Sequence, residues 1–277
     1  MSKDTQRKTL SLKREASAAD PAAPAIEERL HKVLAQAGLG SRRSLEERIS
    51  RGEVRVNGEV AELGRIVKGG DRIELDGKTF MATALTEPAA VLLYNKPEGQ
   101  VTTREDPEGR PTIFEALPRL KGARWIAVGR LDINTTGLLL LTTDGVAAHR
   151  LTHPSGEVER EYAVTVEGDV ASALPRLRRG VELEDGPARL ARASAEPLGR
   201  GRHVLTLVLG EGRNREVRRI AHAVGLVVDR LVRVRYGPVT LGTLPVGTWR
   251  SLTAEEAAAL GVTAPARRGP YRPARRD

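Results

Sequence analysis

The feature that most constrains the fold is a succession of short strand-like runs that begins at residue 91 and is interrupted by turns instead of long helices. From residue 91 onward, only residues 214–224 and the Ala-rich residues 254–260 have helical character. Consecutive strands predict an α+β fold with a mixed, mainly antiparallel sheet and argue against a doubly wound parallel sheet. The strand-like runs are residues 91–94, 124–128, 137–142, 161–166, 189–195, 203–209, 227–236 and 248–252.

Composition narrows the class of protein without deciding it. The 277 residues suffice for two domains, and 40% apolar residues permit a sizeable core. The 45 basic residues exceed the 36 acidic residues, leaving a net charge of +9. A protein this basic usually binds a polyanion, most often nucleic acid, although some basic enzymes share the same balance.

Several classes of site are excluded or not indicated. The chain has no cysteine, which rules out disulfides, cysteine-based zinc sites and cysteine nucleophiles, and is consistent with a cytoplasmic location. The longest aliphatic run, residues 138–141, is too short for a membrane helix, and no secretory signal is recognisable. Histidine spacing indicates no metal site, and no nucleotide-binding motif is present, so we expect neither a metal nor a cofactor.

The chain divides into five predicted segments. Residues 1–25 are expected to be a disordered basic tail, and residues 263–277 a disordered Arg-rich tail that attracts phosphates without specificity. Residues 26–77 form a small domain, residues 78–90 a linker, and residues 91–262 a larger domain.

The small domain is predicted to contain two helices followed by short strands. Gly38 ends the first helix, Ser41 or Ser44 caps the second, and Asn57-Gly58 forms a tight turn. The sequences Arg-Leu-His-Lys-Val-Leu-Ala (residues 29–35), Gly-Leu-Gly-Ser-Arg-Arg (38–43), Gly-Glu-Val-Arg-Val-Asn-Gly (52–58) and Gly-Asp-Arg-Ile (70–73) resemble the S4 RNA-binding module.

That resemblance implies that the second helix and the adjoining turn face RNA. The candidate contacts are Lys32, Arg42, Arg43, Arg48 and Arg55. A solvated surface is the alternative for each of these side chains, since residues 27–77 carry ten basic and ten acidic residues.

The most informative segment of the larger domain is Gly-Arg-Leu-Asp-Ile-Asn-Thr-Thr-Gly, residues 129–137. Asp132 follows an apolar run in a turn-prone stretch, and a second apolar run comes after it. Such a loop can expose a carboxylate at the edge of a sheet, although an aspartate there is more often a turn or capping residue.

This segment resembles the active-site motif of the RsuA/RluB-type pseudouridine synthases, Gly-Arg-Leu-Asp-x-x-Thr-x-Gly, at every fixed position. Three further motifs match in the family's order. They are Asn-Lys-Pro-x-Gly with Val-Thr-Thr (residues 95–103), Glu-Tyr-Ala-Val-Thr-Val (161–166) and Glu-Gly-Arg-Asn-Arg-Glu-Val-Arg-Arg (211–219). The Asn-Arg-Glu form of the last motif is similar to the RluB type in particular.

The resemblance implies a role for each motif. Asp132 would be the catalytic carboxylate, either as a nucleophile or as a base. Tyr162 would support the flipped uracil, and Arg218 would keep Asp132 ionised. On local pattern alone, Tyr162 could equally be a half-buried strand residue and Arg218 one more exposed cation.

Further basic residues are implied at the RNA surface. Arg130 is expected to orient a phosphate, and Lys96 is expected to shape its loop and to lie near RNA. The remaining predicted RNA contacts are Arg213, Arg215 and Arg219.

The function that the resemblance implies is isomerisation of a uridine in structured ribosomal RNA, with 23S RNA of the large subunit preferred. The alternatives are a synthase acting on 16S RNA and a non-catalytic S4-containing ribosomal RNA-binding or assembly factor. Neither a membrane nor a metal is expected, and nothing in the sequence demands more than a monomer.

Overall fold

The computed structural model describes residues 10–14, 27–84, 89–120 and 123–262. The chain separates into two compact units, one formed by residues up to 88 together with 119–125, and the other by 89–118 and the residues from 126 onward. The predicted C-terminal tail and most of the predicted N-terminal tail lie outside the described residues.

The first unit contains the two predicted helices and short antiparallel strands. Ser41 caps the second helix, because its hydroxyl accepts a hydrogen bond from the Ser44 backbone N–H at 3.0 Å. Aliphatic side chains from both helices, including Leu34 and Leu45, are buried together with Val56 and Ile73 of the strands. The elements are β1 (Leu10–Arg14), β2 (Glu27–Arg29), α1 (Leu30–Gln36), α2 (Arg42–Ser50), β3 (Arg55–Val56), β4 (Glu59–Val60), β5 (Ile66–Lys68), β6 (Arg72–Leu75) and β7 (Lys78–Ala84).

The predicted linker is wrong over residues 78–84, and the predicted disordered tail is wrong over residues 10–14. Strand β7 pairs antiparallel with β6 on one side and with β1 on the other, in a sheet of order β1-β7-β6-β3-β4. The physical cause is the Asp76-Gly77 turn, in which both residues have positive φ (54° and 65°) and which joins β6 directly to β7 as a two-residue hairpin.

The second unit holds the remaining elements, including two short 3₁₀ turns (Ile113–Ala116 and Pro154–Gly156). Its strands are β8 (Val91–Lys96), β9 (Ile126–Val128), β10 (Thr136–Thr142), β11 (Arg160–Glu167), β12 (Val181–Leu183), β13 (Gly186–Ala188), β14 (Arg192–Gly199), β15 (Arg202–Leu209), β16 (Val227–Tyr236), β17 (Val239–Thr240) and β18 (Trp249–Ser251). Its helices are α3 (Gly145–Thr152), α4 (Val170–Arg179), α5 (Glu216–Ala223) and α6 (Ala254–Ala259).

A nine-stranded sheet organises this unit, with the main order β14-β15-β11-β16-β10-β8-β18. Strands β9 and β17 extend it by pairing with β10 and β16. The β10–β16 pair is parallel and the other pairs of the sheet are antiparallel, so the predicted mixed, mainly antiparallel sheet is confirmed. The strand-like runs of the sequence fall on β8, β9, β10, β11, β14, β15, β16 and β18.

Two helices were not predicted, although each begins with a recognisable cap. Asp144 accepts hydrogen bonds from the backbone of Val146 and Ala147 at the start of α3, and Asp169 accepts one from Ser172 at the start of α4. Within the described residues, no helix combines the length and apolarity that crossing a membrane requires.

Candidate active site

Asp132 lies in the short loop that connects β9 to β10. Its backbone carbonyl accepts a hydrogen bond from the Thr135 N–H at 3.0 Å, which closes the turn. Leu131 is buried, whereas the Asp132 side chain is half-buried. The loop therefore anchors itself through a leucine and leaves the adjacent carboxylate accessible, as the sequence predicts.

The motif of residues 95–103 holds this loop in place. The Lys96 ammonium donates to the carbonyls of Asp132 and Thr135 at 3.0 and 2.9 Å, and also to that of Pro97 at 3.0 Å. The Gly99 N–H donates to the Ile133 carbonyl at 2.9 Å. The backbone from Asp132 to Thr135 is thus fixed by a segment more than thirty residues earlier in the chain.

Lys96 is fully buried, which corrects the prediction that it contacts RNA. Burial lowers the pKa of Lys96 to about 8, although the negative charges of Asp132 and Glu98 oppose that shift. Its partners are carbonyl oxygens, so the ammonium acts as an internal crosslink between backbone segments. The expectation that Lys96 shapes the loop agrees with these contacts.

Arg218 reaches the same loop from α5. Its guanidinium donates to the Asn134 carbonyl at 2.9 Å, two residues after Asp132. Burial lowers the pKa of Arg218, the charge of Arg215 lowers it further, and the charges of Asp132 and Glu98 partly oppose this. Among the described residues, no ion pair joins Arg218 to Asp132. Arg218 contacts the loop instead through the backbone carbonyl of Asn134.

Tyr162 is a mostly buried residue of β11. It exposes 9% of its surface and packs in the core that α5 covers, with Val217 and Ile220. It pairs in register with Arg233 of β16, and Arg233 pairs in turn with Gly137 of β10. Neighbouring strands lie about 4.8 Å apart, so the Tyr162 and Gly137 backbones are separated by about 10 Å.

Position 137, the last residue of the Asp132 motif, must be glycine because strand β16 lies too close to leave room for a side chain. Its φ is +99°, and a side chain there would begin 2.3 Å from the Arg233 carbonyl oxygen. This close contact joins the carboxylate loop to the strands that carry Arg233 and Tyr162.

Arg233, which pairs with both Gly137 and Tyr162, is a buried arginine that the sequence did not reveal. It is 2% exposed, and its Nε donates to the Leu138 carbonyl at 2.7 Å, while one Nη atom is buried without a partner. Its guanidinium lies 5.2 Å from the centre of the Tyr236 ring. Because arginines alternate with apolar residues along β16, the sequence around Arg233 does not indicate that this one is buried.

Two of the predicted RNA contacts in the 211–219 motif are neutralised. Arg213 pairs with Glu216, Glu211 and Asp185, each at 3.0 Å, and Arg219 pairs with Asp185 at 2.8 Å. Burial raises the pKa of Glu216, which Arg213 opposes. These arginines fix the start of α5 and keep part of their side chains exposed, so their contact with RNA stays a prediction.

Arg215 and Arg130, by contrast, are exposed. Arg215 precedes α5 with a φ of +47°, an unusual conformation for a residue with a side chain. No hydrogen bond or ion pair is formed by either side chain within the described part of the chain. Both remain predicted RNA contacts.

The basic residues predicted on the S4 module also fall into two groups. Lys32 pairs with Glu28, and Arg48 pairs with Glu53 and Asp76, so these side chains are engaged within the module. The side chains exposed to solvent are Arg42 and Arg43, at the start of α2, and Arg55, which also donates to the Gly58 carbonyl.

Comparison with known families identifies both parts of the chain. The RNA pseudouridylate synthase family matches residues 90–223, and the S4 domain family matches residues 28–73. A crystal structure of a pseudouridylate synthase is 32% identical, covers 84% of this chain and 99% of that chain, and superposes with a TM-score of 0.56.

Curated relatives are more similar still. Ribosomal large subunit pseudouridine synthase B of Xylella fastidiosa (strain 9a5c) is 62% identical over 241 residues, which are 84% of this chain and 50% of that protein. The protein of the same description from Escherichia coli (strain K12) is 54% identical over 235 residues, 82% of this chain and 80% of its own length. The chain spans about half the length of the Xylella and Xanthomonas relatives it matches. With a matching synthase region, a matching S4 region and a relative covered over most of its length, the chain belongs to the RNA pseudouridylate synthase family.

Proposed function

We propose that this chain isomerises uridine to pseudouridine in 23S ribosomal RNA and that Asp132 is its catalytic carboxylate. The observation that carries the proposal is the backbone clamp around Asp132. Lys96 binds the carbonyls of Asp132 and Thr135, Arg218 binds that of Asn134, and Asp132 itself is half-buried. A carboxylate in a fixed backbone is positioned for attack or proton transfer before substrate arrives.

The reaction needs only groups that the chain and the substrate supply. The bond from ribose C1′ to uracil N1 breaks, the base rotates, and a bond from C1′ to C5 forms. The C5 proton leaves and N1 gains a proton, so no oxidant, reductant or donor group is consumed. One carboxylate can attack the ribose or base as a nucleophile, or take a proton from the sugar.

The neighbouring residues receive supporting roles in this proposal. Arg218 holds the Asn134 carbonyl and so fixes the backbone next to Asp132. The exposed part of Tyr162 supports the flipped uracil, which recovers part of the few kcal/mol that unstacking costs. Arg130 and Arg215 bind phosphates next to the target, and Arg42, Arg43 and Arg55 extend the RNA surface on the S4 module.

The preference for 23S RNA is supported by the names of the relatives, which are large-subunit synthases at 54–62% identity. We further propose that the chain acts as a monomer in the cytoplasm. A non-catalytic S4-containing RNA-binding factor and a synthase for 16S RNA are the two alternatives that the following experiment separates.

Pseudouridines should be mapped by carbodiimide treatment and reverse transcription in ribosomal RNA from cells with and without the gene. We expect one site, or a few adjacent ones, to disappear from 23S RNA. Wild-type protein should restore the signal, and Asp132→Asn should bind the RNA but fail to restore it. Asp229→Asn removes an exposed carboxylate on β16 and should restore it fully.

Restoration by Asp132→Asn would remove Asp132 from its assigned role. A signal lost from 16S RNA would reassign the substrate, and an unchanged map in both RNAs would favour the non-catalytic factor.

A further inference from the structure

Ile133, the residue after Asp132, is an apolar side chain that the loop leaves in contact with solvent. It is 37% exposed, whereas Leu131 on the other side of Asp132 is 6% exposed. Among the large apolar side chains that are exposed in the described part of the chain, it is the one that belongs to the four motifs of the larger domain. The others are Val60, Leu63, Ile66, Leu198, Val227 and Val246. The free protein therefore presents an apolar surface directly beside its proposed catalytic carboxylate.

The backbone of Ile133 is fixed, so its side chain stays on the outside of the loop. The Ile133 carbonyl accepts hydrogen bonds from the Gly99 N–H at 2.9 Å and from the Lys96 ammonium at 3.4 Å. The hydrogen bond from the Thr135 N–H to the Asp132 carbonyl makes Ile133 a central residue of a turn. Turning the side chain inward would break these contacts, which also hold the carboxylate loop. Its exposure is therefore a fixed property of the loop before RNA binds.

An apolar side chain in this position is suited to a base and not to a phosphate. Backbone phosphates are charged and hydrated, so an aliphatic group gains nothing by approaching them. The faces of the bases are the apolar surface of a nucleic acid, and proteins that bend DNA pack isoleucine and similar side chains against partly unstacked bases. A uridine that leaves its stack uncovers such faces on the two bases beside it. Base flipping therefore creates an apolar surface that Ile133 can cover.

The dimensions of chain and RNA bring an uncovered base within reach of Ile133. Consecutive Cα atoms are about 3.8 Å apart, so Ile133 starts one residue away from the carboxylate that acts on the target nucleotide. Successive bases of a strand are about 3.4 Å apart, which leaves a gap of about 7 Å when the base between two others is removed. An aliphatic carbon in van der Waals contact with a base needs about 3.5–4.0 Å of that gap. One isoleucine side chain is therefore thick enough to cover the exposed face of a neighbouring base.

We propose that Ile133 packs on the base next to the target uridine, against the face that base flipping uncovers. The inference rests on the proposed function, because the ligand is the RNA on whose uridine Asp132 acts. The loop then has two tasks: Asp132 acts on the flipped nucleotide, and Ile133 replaces part of the stacking that the remaining strand has lost. Because the contact forms only in the flipped state, it favours flipping without strengthening the initial complex.

The test measures single-turnover release of tritium from a 23S RNA fragment that contains 5-tritiated uridine, since the C5 proton leaves during the reaction. Ile133→Ala should lower the rate at saturating enzyme about fivefold and change the half-saturating enzyme concentration by less than about twofold. Ile133→Leu keeps the apolar area and should react within about twofold of the wild type. Leu198→Ala removes an apolar side chain that is 53% exposed on β14 and should change neither quantity. All three variants should melt at the wild-type temperature, because the altered side chains are exposed.

Altered RNAs separate a base contact from an indirect effect on Asp132. In two further fragments, assembled by ligation, the nucleotide on the 5′ side or on the 3′ side of the target uridine is made abasic. On one of them, Ile133→Ala and the wild type should react at the same rate, because the contact that the substitution removes is already absent. On the other, the difference of about fivefold should persist. A displaced Asp132 would instead slow the variant on all three RNAs.

Two results would overturn the proposal: a rate at saturation that Ile133→Ala leaves unchanged, or one that it lowers equally on all three RNAs. Failure of the proposed function is distinguishable from both, because wild-type protein would then release no tritium from the unaltered RNA.

Discussion

Replacing Lys96 with methionine tests the internal role that the structure gives to this lysine. Methionine matches the length of the side chain but has no charge and no donor. The substitution removes three short hydrogen bonds, to the carbonyls of Pro97, Asp132 and Thr135 at 3.0 Å or less, and a longer one to that of Ile133 at 3.4 Å. A hydrogen bond from a charged group contributes about 1.5–3 kcal/mol.

Burial of the ammonium opposes this contribution. The difference between the ordinary pKa of 10.5 and about 8 in the folded protein corresponds to about 3 kcal/mol, which the variant recovers. Three hydrogen bonds outweigh that cost, and we expect Lys96→Met to lose about 3 kcal/mol in free energy of unfolding. For a unit of this size the melting temperature should fall by about 10 °C.

The pH dependence of stability provides a second test of the role of Lys96. Because burial depresses the pKa of Lys96, the unfolded chain binds more protons than the folded protein between pH 8 and 10.5. The contribution of Lys96 to the free energy of unfolding should therefore rise as the pH increases from 8 to 10.5. The wild type should gain up to about 3 kcal/mol relative to Lys96→Met, measured by urea denaturation followed by circular dichroism.

Measuring RNA affinity and turnover separately distinguishes the internal role of Lys96 from its predicted contact with RNA. Since the side chain is fully buried, the variant should bind 23S RNA with unchanged affinity while its turnover falls roughly tenfold to a hundredfold, because the Asp132 loop loses its clamp. Arg230→Met removes an exposed cation from the same unit and should leave stability unchanged. A Lys96→Met protein that melts and turns over like the wild type would refute the reasoning, and weaker RNA binding by a stable variant would restore the original prediction.

Two further substitutions test other parts of the site. Gly137→Ala should destabilise the protein by about 3 kcal/mol or more, because the new methyl group would lie 2.3 Å from the Arg233 carbonyl; a melting temperature within a degree or two of the wild type would contradict this. Arg213→Met should cost about 3–5 kcal/mol by leaving the buried Glu216 unpaired. Since a buried carboxyl is neutralised by protonation, that loss should be larger at about pH 7 than at about pH 5, and an equal loss at both would argue against the role of Glu216.

Much of the fold was predictable because local patterns and long-range order agree. The alternating strands and their turns gave the mixed sheet, and Ser41 marked the start of α2. The strand β7 was missed although its signal is local, since an Asp-Gly pair between two strand-like runs is a strong hairpin signal. The residues before and after Asp76-Gly77 pair in register as that signal predicts.

The carboxylate loop was predictable for a different reason. A turn-prone segment between apolar runs exposes its polar residue whatever the rest of the fold does, and Asp132 is half-exposed as expected. The clamp around it was not predictable, because Lys96 and Asp132 are 36 residues apart. Lysine is almost never fully buried, so neither composition nor periodicity suggests a buried one at the end of a strand.

Which basic residues are paired and which are exposed could not be predicted from the sequence. Arg213 and Arg215 stand in the same motif with the same charge, yet one is held by three carboxylates and the other is exposed. Two of those carboxylates, Glu211 and Glu216, stand in the same motif, and the third, Asp185, lies 28 residues before Arg213 and reaches it through the β12–β13 turn. Proximity in the sequence therefore cannot rank arginines by their availability to RNA.

The difference between paired and exposed arginines determines how much of the positive charge of the chain can attract RNA. An ion pair inside the protein leaves the net charge of +9 unaltered but cancels the local field, so the paired arginines stabilise the scaffold and add little attraction for phosphate. What remains near Asp132 is a small set of exposed cations, Arg130 and Arg215, which two different motifs supply. Affinity built from a few fixed contacts depends on the spacing of the phosphates more than on their number. That dependence favours a folded RNA of defined shape over an unstructured polyanion, since only the folded RNA presents its phosphates at fixed distances.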